Sequence, residues 1–131
     1  MQIGLAFAFA LLALPAAAQE APIQDTIRQQ IQAFEADDFA RAFTYASPNI
    51  QALFGTPEAF GKMVREGYPM VWRPSDVAML DLRTVGGALW QRVRVTDGKG
   101  RSFLMDYQMI EGPNGWLINA VLMQMAPDVG A

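Results

Sequence analysis

The sequence predicts an α+β protein in which N-terminal helices pack on a curved antiparallel sheet. Two observations support this fold class. Apolar residues recur at helical spacing over 23–67, whereas β-branched and aromatic runs separated by tight turns fill the stretch 88–125. Because the helices come first and the strands follow, the helices are expected to cover one face of an antiparallel meander.

Two turn sequences divide the stretch 88–125 into three long strands. They are Asp97-Gly98-Lys99-Gly100-Arg101 and Gly112-Pro113-Asn114-Gly115. Glycine adopts positive φ without steric cost, and proline presets φ for a turn. Each turn lies between runs rich in aliphatic and aromatic residues, which is typical of β-hairpins. A further strand is expected over 77–84, followed by a turn at Gly86-Gly87.

The first turn predicts the register of the first hairpin, because side chains alternate between the two faces of a strand. A three-residue loop at 98–100 places Val95 opposite Phe103. The same register sets Arg92 opposite Asp106 on the other face. A slip of one residue would mix arginines into the apolar face, so we favour this register.

The second turn predicts how the last strand pairs with the middle one. The expected pairs across a Pro113-Asn114 loop are Met109 with Ile118, Tyr107 with Ala120, and Met105 with Leu122. One apolar face then lies beneath the helices and is called the inner face; its expected members are Leu89, Val93, Val95, Phe103, Met105, Tyr107, Met109, Ile118, Ala120 and Leu122. The opposite surface of the sheet is called the outer face.

Start and stop signals divide the first half of the chain into four helices. The expected ranges are 23–37, 39–46, 48–54 and 57–67. The expected N-cap residues are Asp38, Ser47 and Thr56. Gly55 ends the third helix and Pro69 ends the fourth. The segment 70–73, between two prolines, is expected to be extended at an edge of the sheet.

Residues 1–18 are expected to form a secretory signal peptide. They carry no charged side chain, and the apolar run from Ile3 to Leu14 is shorter than the roughly 20 residues that a membrane-spanning helix needs. The small residues after Pro15 predict cleavage following Ala18. The protein would then be periplasmic or secreted, with a single α+β domain over 19–131, ordered from about 22 to 125. An uncleaved anchor is the alternative.

Composition argues against several classes of function. The chain has no cysteine, so an exported form gains no disulfide, and no histidine, the commonest general base and transition-metal ligand. The net charge of −3 includes no basic block, which argues against binding to nucleic acid. We expect no cofactor, no metal and no stable membrane insertion after signal cleavage. Met123 and Met125 would suit Cu(I), but packing explains them better.

Several short motifs resemble a known family. They are Ala33-Phe34, Asp37-Asp38, Ala42-Phe43, Ala46-Ser47-Pro48, Phe54-Gly55, Tyr68-Pro69, Arg73-Pro74 and Gly115-Trp116 with Ile118. The chain resembles an uncharacterised bacterial family, the domain-of-unknown-function family 4864, within the nuclear transport factor two-like superfamily of cystatin-like fold. That superfamily includes ketosteroid isomerases and polyketide cyclases. The resemblance implies a cone-shaped α+β barrel, but it carries over no catalytic residues.

A curled sheet capped by helices is expected to close over a small cavity. The candidate pocket residues are Tyr45, Tyr68, Trp72, Gln91 and Tyr107. Aromatic rings with one polar tip suit a mostly apolar ligand. The alternative is ordinary core packing, in which a neighbouring group satisfies each hydroxyl.

The outer face carries many apolar residues for a surface exposed to water. The candidates for an interface are Trp90, Leu104, Leu117, Val121 and Met123. We therefore expect a homodimer in which two outer faces pack together, each partner burying about 800 Å².

An isomerase-like enzyme needs a desolvated carboxylate base and a hydroxyl donor aimed at one carbonyl. Asp106 and Tyr107 are adjacent in a strand, so they point to opposite faces and do not share a pocket. Asp106 is expected to pair with Arg92, and Asp81 is a weaker candidate for a base. No catalytic residue is assigned.

Three functions remain open from the sequence. The first, which we favour, is an exported, non-catalytic domain that binds a small apolar ligand or a partner. The second is a small enzyme of the isomerase or cyclase kind. The third is a structural or protein-interaction module whose interior is filled by its own side chains.

Overall fold

The computed structural model describes residues 16–124, and in that part of the chain the α+β fold class is confirmed. The helices are α1 (Ala16–Glu35), α2 (Phe39–Thr44), α3 (Pro48–Phe54), α4 (Pro57–Gly67) and α5 (Pro69–Trp72). The strands are β1 (Asp76–Val85), β2 (Ala88–Thr96), β3 (Ser102–Gly112) and β4 (Gly115–Met123). They form an open, curved antiparallel sheet in the order β1-β2-β3-β4. None of the helices described is long and apolar enough to cross a membrane.

The expected helix caps are confirmed. Asp38, Ser47 and Thr56 each accept a hydrogen bond from the backbone N–H three residues further on, at 3.1, 3.3 and 3.1 Å respectively. Such a cap stabilises a helix by about 1 kcal/mol, because it satisfies a donor that the helix itself leaves free. Gly55 ends α3 with a φ of +82°, a conformation that favours glycine.

Two helices differ from their expected ranges. α1 begins at Ala16, before the expected start at residue 23, and Pro22 lies inside it. A proline in a helix interior costs about 3 kcal/mol, which is why the sequence pattern favours the later start. α2 ends at Thr44, because Ala46 leaves the helix and pairs with Ile118 of β4 in an isolated parallel bridge.

The segment 70–73 is not extended, so that prediction was wrong. Residues 70–72 belong to α5, in which Pro69 occupies the first helical position, and Arg73 is the C-cap. Proline suits that position, since it lacks the N–H that would have no helical partner there and its φ is already helical. The backbone N–H of Arg73 donates to the carbonyl of Pro69 at 3.0 Å, and Met70 and Val71 are buried in the core.

The register of β2 against β3 is confirmed. Val95 lies opposite Phe103, and Arg92 lies opposite Asp106, as the loop length predicts. The face assignment is confirmed as well, because Val93 is fully buried under the helices. The inner and outer faces of the two central strands are therefore those that the sequence predicts.

The register of β4 is confirmed only as far as Ile118, which lies opposite Met109. A β-bulge follows, in which β4 carries the additional residue Asn119 between two consecutive pairs of the ladder. The pairs beyond the bulge are Gln108 with Ala120, Tyr107 with Val121, Asp106 with Leu122, and Met105 with Met123. The expected pairings of Tyr107 with Ala120 and of Met105 with Leu122 were wrong.

The bulge changes the face expected for four residues of β4. One extra residue in one strand shifts the alternation, so every later side chain moves to the opposite face. Val121 and Met123, expected on the outer face, lie opposite inner-face residues of β3. Ala120 and Leu122, expected on the inner face, lie opposite outer-face residues.

The core lies between the inner face and the helices. Ile23, Ile27 and Phe34 of α1 are buried, as are Met105 and Tyr107 of β3. Phenylalanine rings with neighbouring centroids 5.2–6.2 Å apart join α1, α2, α3 and α4: Phe34, Phe39, Phe43, Phe54 and Phe60. This aromatic cluster fixes the helices against one another above the sheet.

Candidate ligand-binding cavity

A cavity of about 430 Å³ lies between α3, α4 and the last strand of the sheet. Its helical wall is apolar and includes Ile50, Leu53, Phe54, Phe60, Met63 and Val64. Its sheet wall comprises Tyr107, Ile118, Asn119, Ala120 and Val121. No charged side chain belongs to the lining that the described residues provide, and its polar members are Gln30, Tyr68, Tyr107 and Asn119.

The bulge in β4 builds much of the sheet wall. In a regular strand, adjacent side chains point to opposite faces, so an inserted residue exchanges the faces of the residues that follow it. Beyond the bulge, Val121 lies opposite inner-face Tyr107, and both residues line the cavity. The inserted residue therefore brings Val121 into the wall.

Hydrogen bonds to the junction between α2 and α3 hold the bulge in place. The hydroxyl of Ser47, which is fully buried, donates to Oδ1 of Asn119 at 2.8 Å. Nδ2 of Asn119 donates to Oε1 of Gln108 at 2.8 Å. On the backbone, the N–H of Ser47 donates to the carbonyl of Ile118, and the N–H of Ile118 donates to the carbonyl of Tyr45, both at 2.8 Å. The shape of the cavity wall thus depends on tertiary contacts.

The hydroxyl of Tyr107 is a buried polar group in this wall that has no hydrogen-bond partner among the described residues. The residue is only 1% exposed. Burial, and secondarily the neighbouring Tyr68, raises the pKa of this hydroxyl well above its ordinary value. Tyr107 therefore stays protonated at physiological pH and is available as a neutral donor.

Tyr68 and Tyr107 are the two predicted pocket residues that line the cavity. Tyr68 follows α4, and Tyr107 comes from the centre of β3, so the two rings approach from the helical side and the sheet side. The sequence predicts this pair because Tyr68 follows the helix α4 and Tyr107 lies on the inner face of the sheet.

The other three predicted pocket residues lie elsewhere, and each polar tip has a partner. The hydroxyl of Tyr45 donates to Oε1 of Gln29 at 2.8 Å. Nε1 of Trp72 donates to Oδ1 of Asp37 at 2.9 Å. Gln91 is fully buried, and its Nε2 donates to the backbone carbonyls of residues 80 and 92, both at 2.9 Å. Ordinary packing accounts for all three positions.

Sequence reasoning missed most of the residues that form the cavity. The apolar side chains of α3 and α4 follow helical spacing, which does not distinguish a cavity wall from a filled core. Asn119 and Val121 line the cavity only because of the bulge, and no residue type in β4 marks a bulge there. A polar asparagine within an apolar strand is the one weak signal.

Asp106 lies on the outer face, away from the cavity, and pairs with Arg92 as expected. Nε and Nη2 of Arg92 each donate to one carboxylate oxygen at 3.0 Å. Arg83 and Gln124 also donate to this carboxylate, at 3.3 and 2.8 Å. Hydrogen bonds from Arg92 hold the pKa of Asp106 below its ordinary value, although burial opposes them. Asp81 is exposed and lies 3.5 Å from Arg83.

Of the predicted interface residues, Trp90, Leu104 and Leu117 lie on the outer face and are half-buried. Val121 and Met123 lie on the inner-face side, as described above. Within residues 16–124, no group of three or more His, Asp or Glu side chains is arranged to hold a metal ion. Met125 lies outside the described residues.

These features define a small α+β domain with an apolar cavity between its helices and an edge strand. The chain belongs to a family described as Domain of unknown function (DUF4864), which it matches over residues 16–131. No curated protein and no solved structure matches the chain.

Proposed function

We propose that this protein binds a small, mostly apolar ligand in the cavity between α3, α4 and β4, without transforming it. The observation that carries the proposal is the cavity itself, at about 430 Å³. Small-molecule sites typically enclose about 300–1,000 Å³ and are mostly apolar with a few polar groups. The lining fits that description, since aliphatic and aromatic side chains surround a small number of uncharged polar groups.

Two observations favour binding over the alternative functions. General acid–base catalysis needs a carboxylate or similar base within reach of the substrate, and no Asp or Glu belongs to the lining that is described. A purely structural module would fill its interior, because protein cores pack to high density with few voids larger than a water molecule. A pocket of about 430 Å³ that opens to the surface is much larger than such a void.

The experiment is a thermal-shift screen of the protein against neutral apolar molecules and charged counterparts of the same skeleton. A neutral ligand at 100 times its Kd stabilises the folded state by about 2.7 kcal/mol, so its effect is readily seen. We expect several neutral compounds to raise the unfolding temperature and the charged ones to leave it unchanged. No shift across a broad neutral panel would favour the structural module.

The finer placement of the fold is also a proposal. The order of helices followed by a curved meander supports membership of the nuclear transport factor two-like superfamily.

Export to the periplasm with cleavage after Ala18 rests on residues 1–18 of the sequence. Such cleavage would remove only the first turn of α1, and its buried face begins later, at Ile23. N-terminal sequencing of the protein from its native host tests the cleavage site.

The proposal includes self-association through the outer face. Trp90, Leu104, Ile110 and Leu117 form a half-buried apolar surface that does not contact the core within the described residues. Water would otherwise cover this surface at a free-energy cost, since each Å² of apolar area contributes about 25 cal/mol when it is buried.

A further inference from the structure

The hydroxyl of Tyr107 is buried and has no hydrogen-bond partner among the described residues. A buried polar group without a partner loses its hydrogen bonds to water and gains none in return, so such groups are rare in folded proteins. Tyr107 also belongs to the wall of the cavity proposed to hold a ligand. The missing hydrogen-bond partner is therefore sought in what fills the cavity.

Among the other polar residues of the wall, Tyr68 is only half-buried, whereas the side-chain nitrogen of Gln30 and both polar atoms of Asn119 are already engaged. Nε2 of Gln30 donates to the carbonyl of Ala42 at 3.1 Å. Asn119 uses its oxygen to accept from Ser47 and its nitrogen to donate to Gln108. Tyr107 is thus the fully buried residue of the wall whose hydroxyl hydrogen is not donated to any described residue.

We propose that the ligand is an uncharged molecule with a carbonyl oxygen that accepts a hydrogen bond from Tyr107. This inference rests on the proposed ligand-binding function and adds the chemical class of the ligand. Neighbouring protein atoms shield the hydroxyl oxygen of Tyr107. Those atoms therefore have to shift when the carbonyl of the ligand approaches it.

The chemistry of the wall separates a carbonyl from its alternatives. A carboxylate would enter an apolar cavity that provides no described cation, and an unpaired buried charge is strongly unfavourable. An alcohol can accept from Tyr107, but its own hydrogen then needs a second acceptor. A carbonyl only accepts, so a single donor leaves nothing on the ligand unpaired.

The experiment compares four ligands on one skeleton: 4-phenylbutan-2-one, 4-phenylbutan-2-ol, butylbenzene and 4-phenylbutanoate. Each is titrated into the wild-type protein and into Tyr107→Phe. We expect the ketone to bind wild type about fivefold more tightly than butylbenzene, the size expected of one hydrogen bond. In Tyr107→Phe this preference should disappear while the affinity for butylbenzene is unchanged. The carbonyl stretch of the bound ketone should lie at lower wavenumber in wild type than in Tyr107→Phe.

A matched control and a stability measurement complete the test. Tyr45→Phe removes a hydroxyl that lies outside the cavity and already has a partner, so it should keep the preference for the ketone. Tyr107→Phe without ligand should unfold at the same or a higher urea concentration, because the lost hydroxyl has no partner.

Each contrary result has its own meaning. If Tyr107→Phe is less stable than wild type, the hydroxyl has a partner in the protein and the inference fails. If the ketone and butylbenzene bind wild type equally well, the inference fails while the binding function stands. If none of the four ligands binds, the inference fails, and the wider screen decides the binding function separately.

Discussion

At the scale of single residues, Asp106 is a charge held on the outer face of the sheet. It is 4% exposed, and two arginines and a glutamine donate to it. Replacing it by Asn removes the carboxylate that pairs with Arg92 and leaves Arg83 with Asp81 alone. We expect Asp106→Asn to lower the free energy of unfolding by about 2–3 kcal/mol, toward the low end for a broken buried pair because both arginines are partly exposed.

Urea unfolding at neutral pH measures this loss. The matched control is Asp81→Asn, which removes the same charge from an exposed aspartate of the same ion cluster. Its effect should stay within about 0.5 kcal/mol, as for most surface substitutions. Equal effects of the two substitutions would show that burial of Asp106 does not matter.

The pH dependence of stability provides a second prediction for Asp106. The pKa of Asp106 is lower in the folded protein than in the unfolded chain. Its contribution to the free energy of unfolding is therefore complete above the pKa of the unfolded chain, about 4, and is lost as the pH falls further. The difference in unfolding free energy between wild type and Asp106→Asn should be flat from about pH 7 to about pH 5 and shrink below about pH 4. A difference that changes mainly above about pH 5 would contradict this assignment.

The sequence predicts the face on which these residues lie, but not how their polar groups are satisfied. Alternation along β2 and β3 correctly sets Asp106 beside Arg92 and Tyr107 on the inner face. Whether the hydroxyl of Tyr107 finds a partner depends on side chains from α1, α4 and β4 that meet only in the fold. The same holds for Arg83 and Gln124, which reach Asp106 from β1 and from the end of β4.

At the scale of elements, the bulge in β4 is the feature that sequence reasoning could not provide. The loop length and the apolar pattern both favour a regular strand, and they predict the register correctly up to Ile118. Beyond it, the contacts of Ala46 and Ser47 with the edge of β4 accompany the inserted residue. Such contacts join residues about 70 positions apart, so no local pattern encodes them.

We expect Asn119→Ala to lower the free energy of unfolding by about 1–3 kcal/mol, because it removes the acceptor of the buried Ser47 hydroxyl hydrogen and the donor to Oε1 of Gln108. Urea unfolding followed by circular dichroism measures the change. The control is Asn49→Ala, at an exposed position in the first turn of α3. A loss no larger than that of the control would mean that the hydrogen bonds of Asn119 do not hold the bulge.

At the scale of the whole molecule, the sequence predicts the order of elements and the buried face, but it identifies few of the residues that line the cavity. Tyr68 and Tyr107 belong to the lining, whereas the candidates Tyr45, Trp72 and Gln91 do not. The structure has its cavity at the edge strand, where the break at Gly55 separates α3 from α4. Apolar periodicity identifies which residues face inward, but it does not show where inward-facing side chains leave space.

The proposed homodimer gives a prediction at this scale. The double substitution Trp90→Glu and Leu104→Glu places charges on the outer face and should yield monomers in sedimentation velocity, where wild type should sediment as a dimer. Leu53→Glu is the control, since Leu53 is the most exposed of the large apolar residues but lies on the helical side. A wild type that is already monomeric, or a double variant that remains dimeric, would exclude this interface.

Two neighbouring residues of β4 allow the most direct test of ligand binding in the cavity. Val121 lines the cavity, whereas Leu122 lies opposite outer-face Asp106 and is 52% exposed. Tryptophan at the first position fills the cavity, and tryptophan at the second leaves it open. The measurement is a calorimetric titration of the tightest neutral ligand from the screen into wild type, Val121→Trp and Leu122→Trp, each shown to be folded by circular dichroism. We expect Val121→Trp to lose binding at least tenfold while Leu122→Trp binds as wild type does; equal affinity in all three proteins would contradict binding in this cavity.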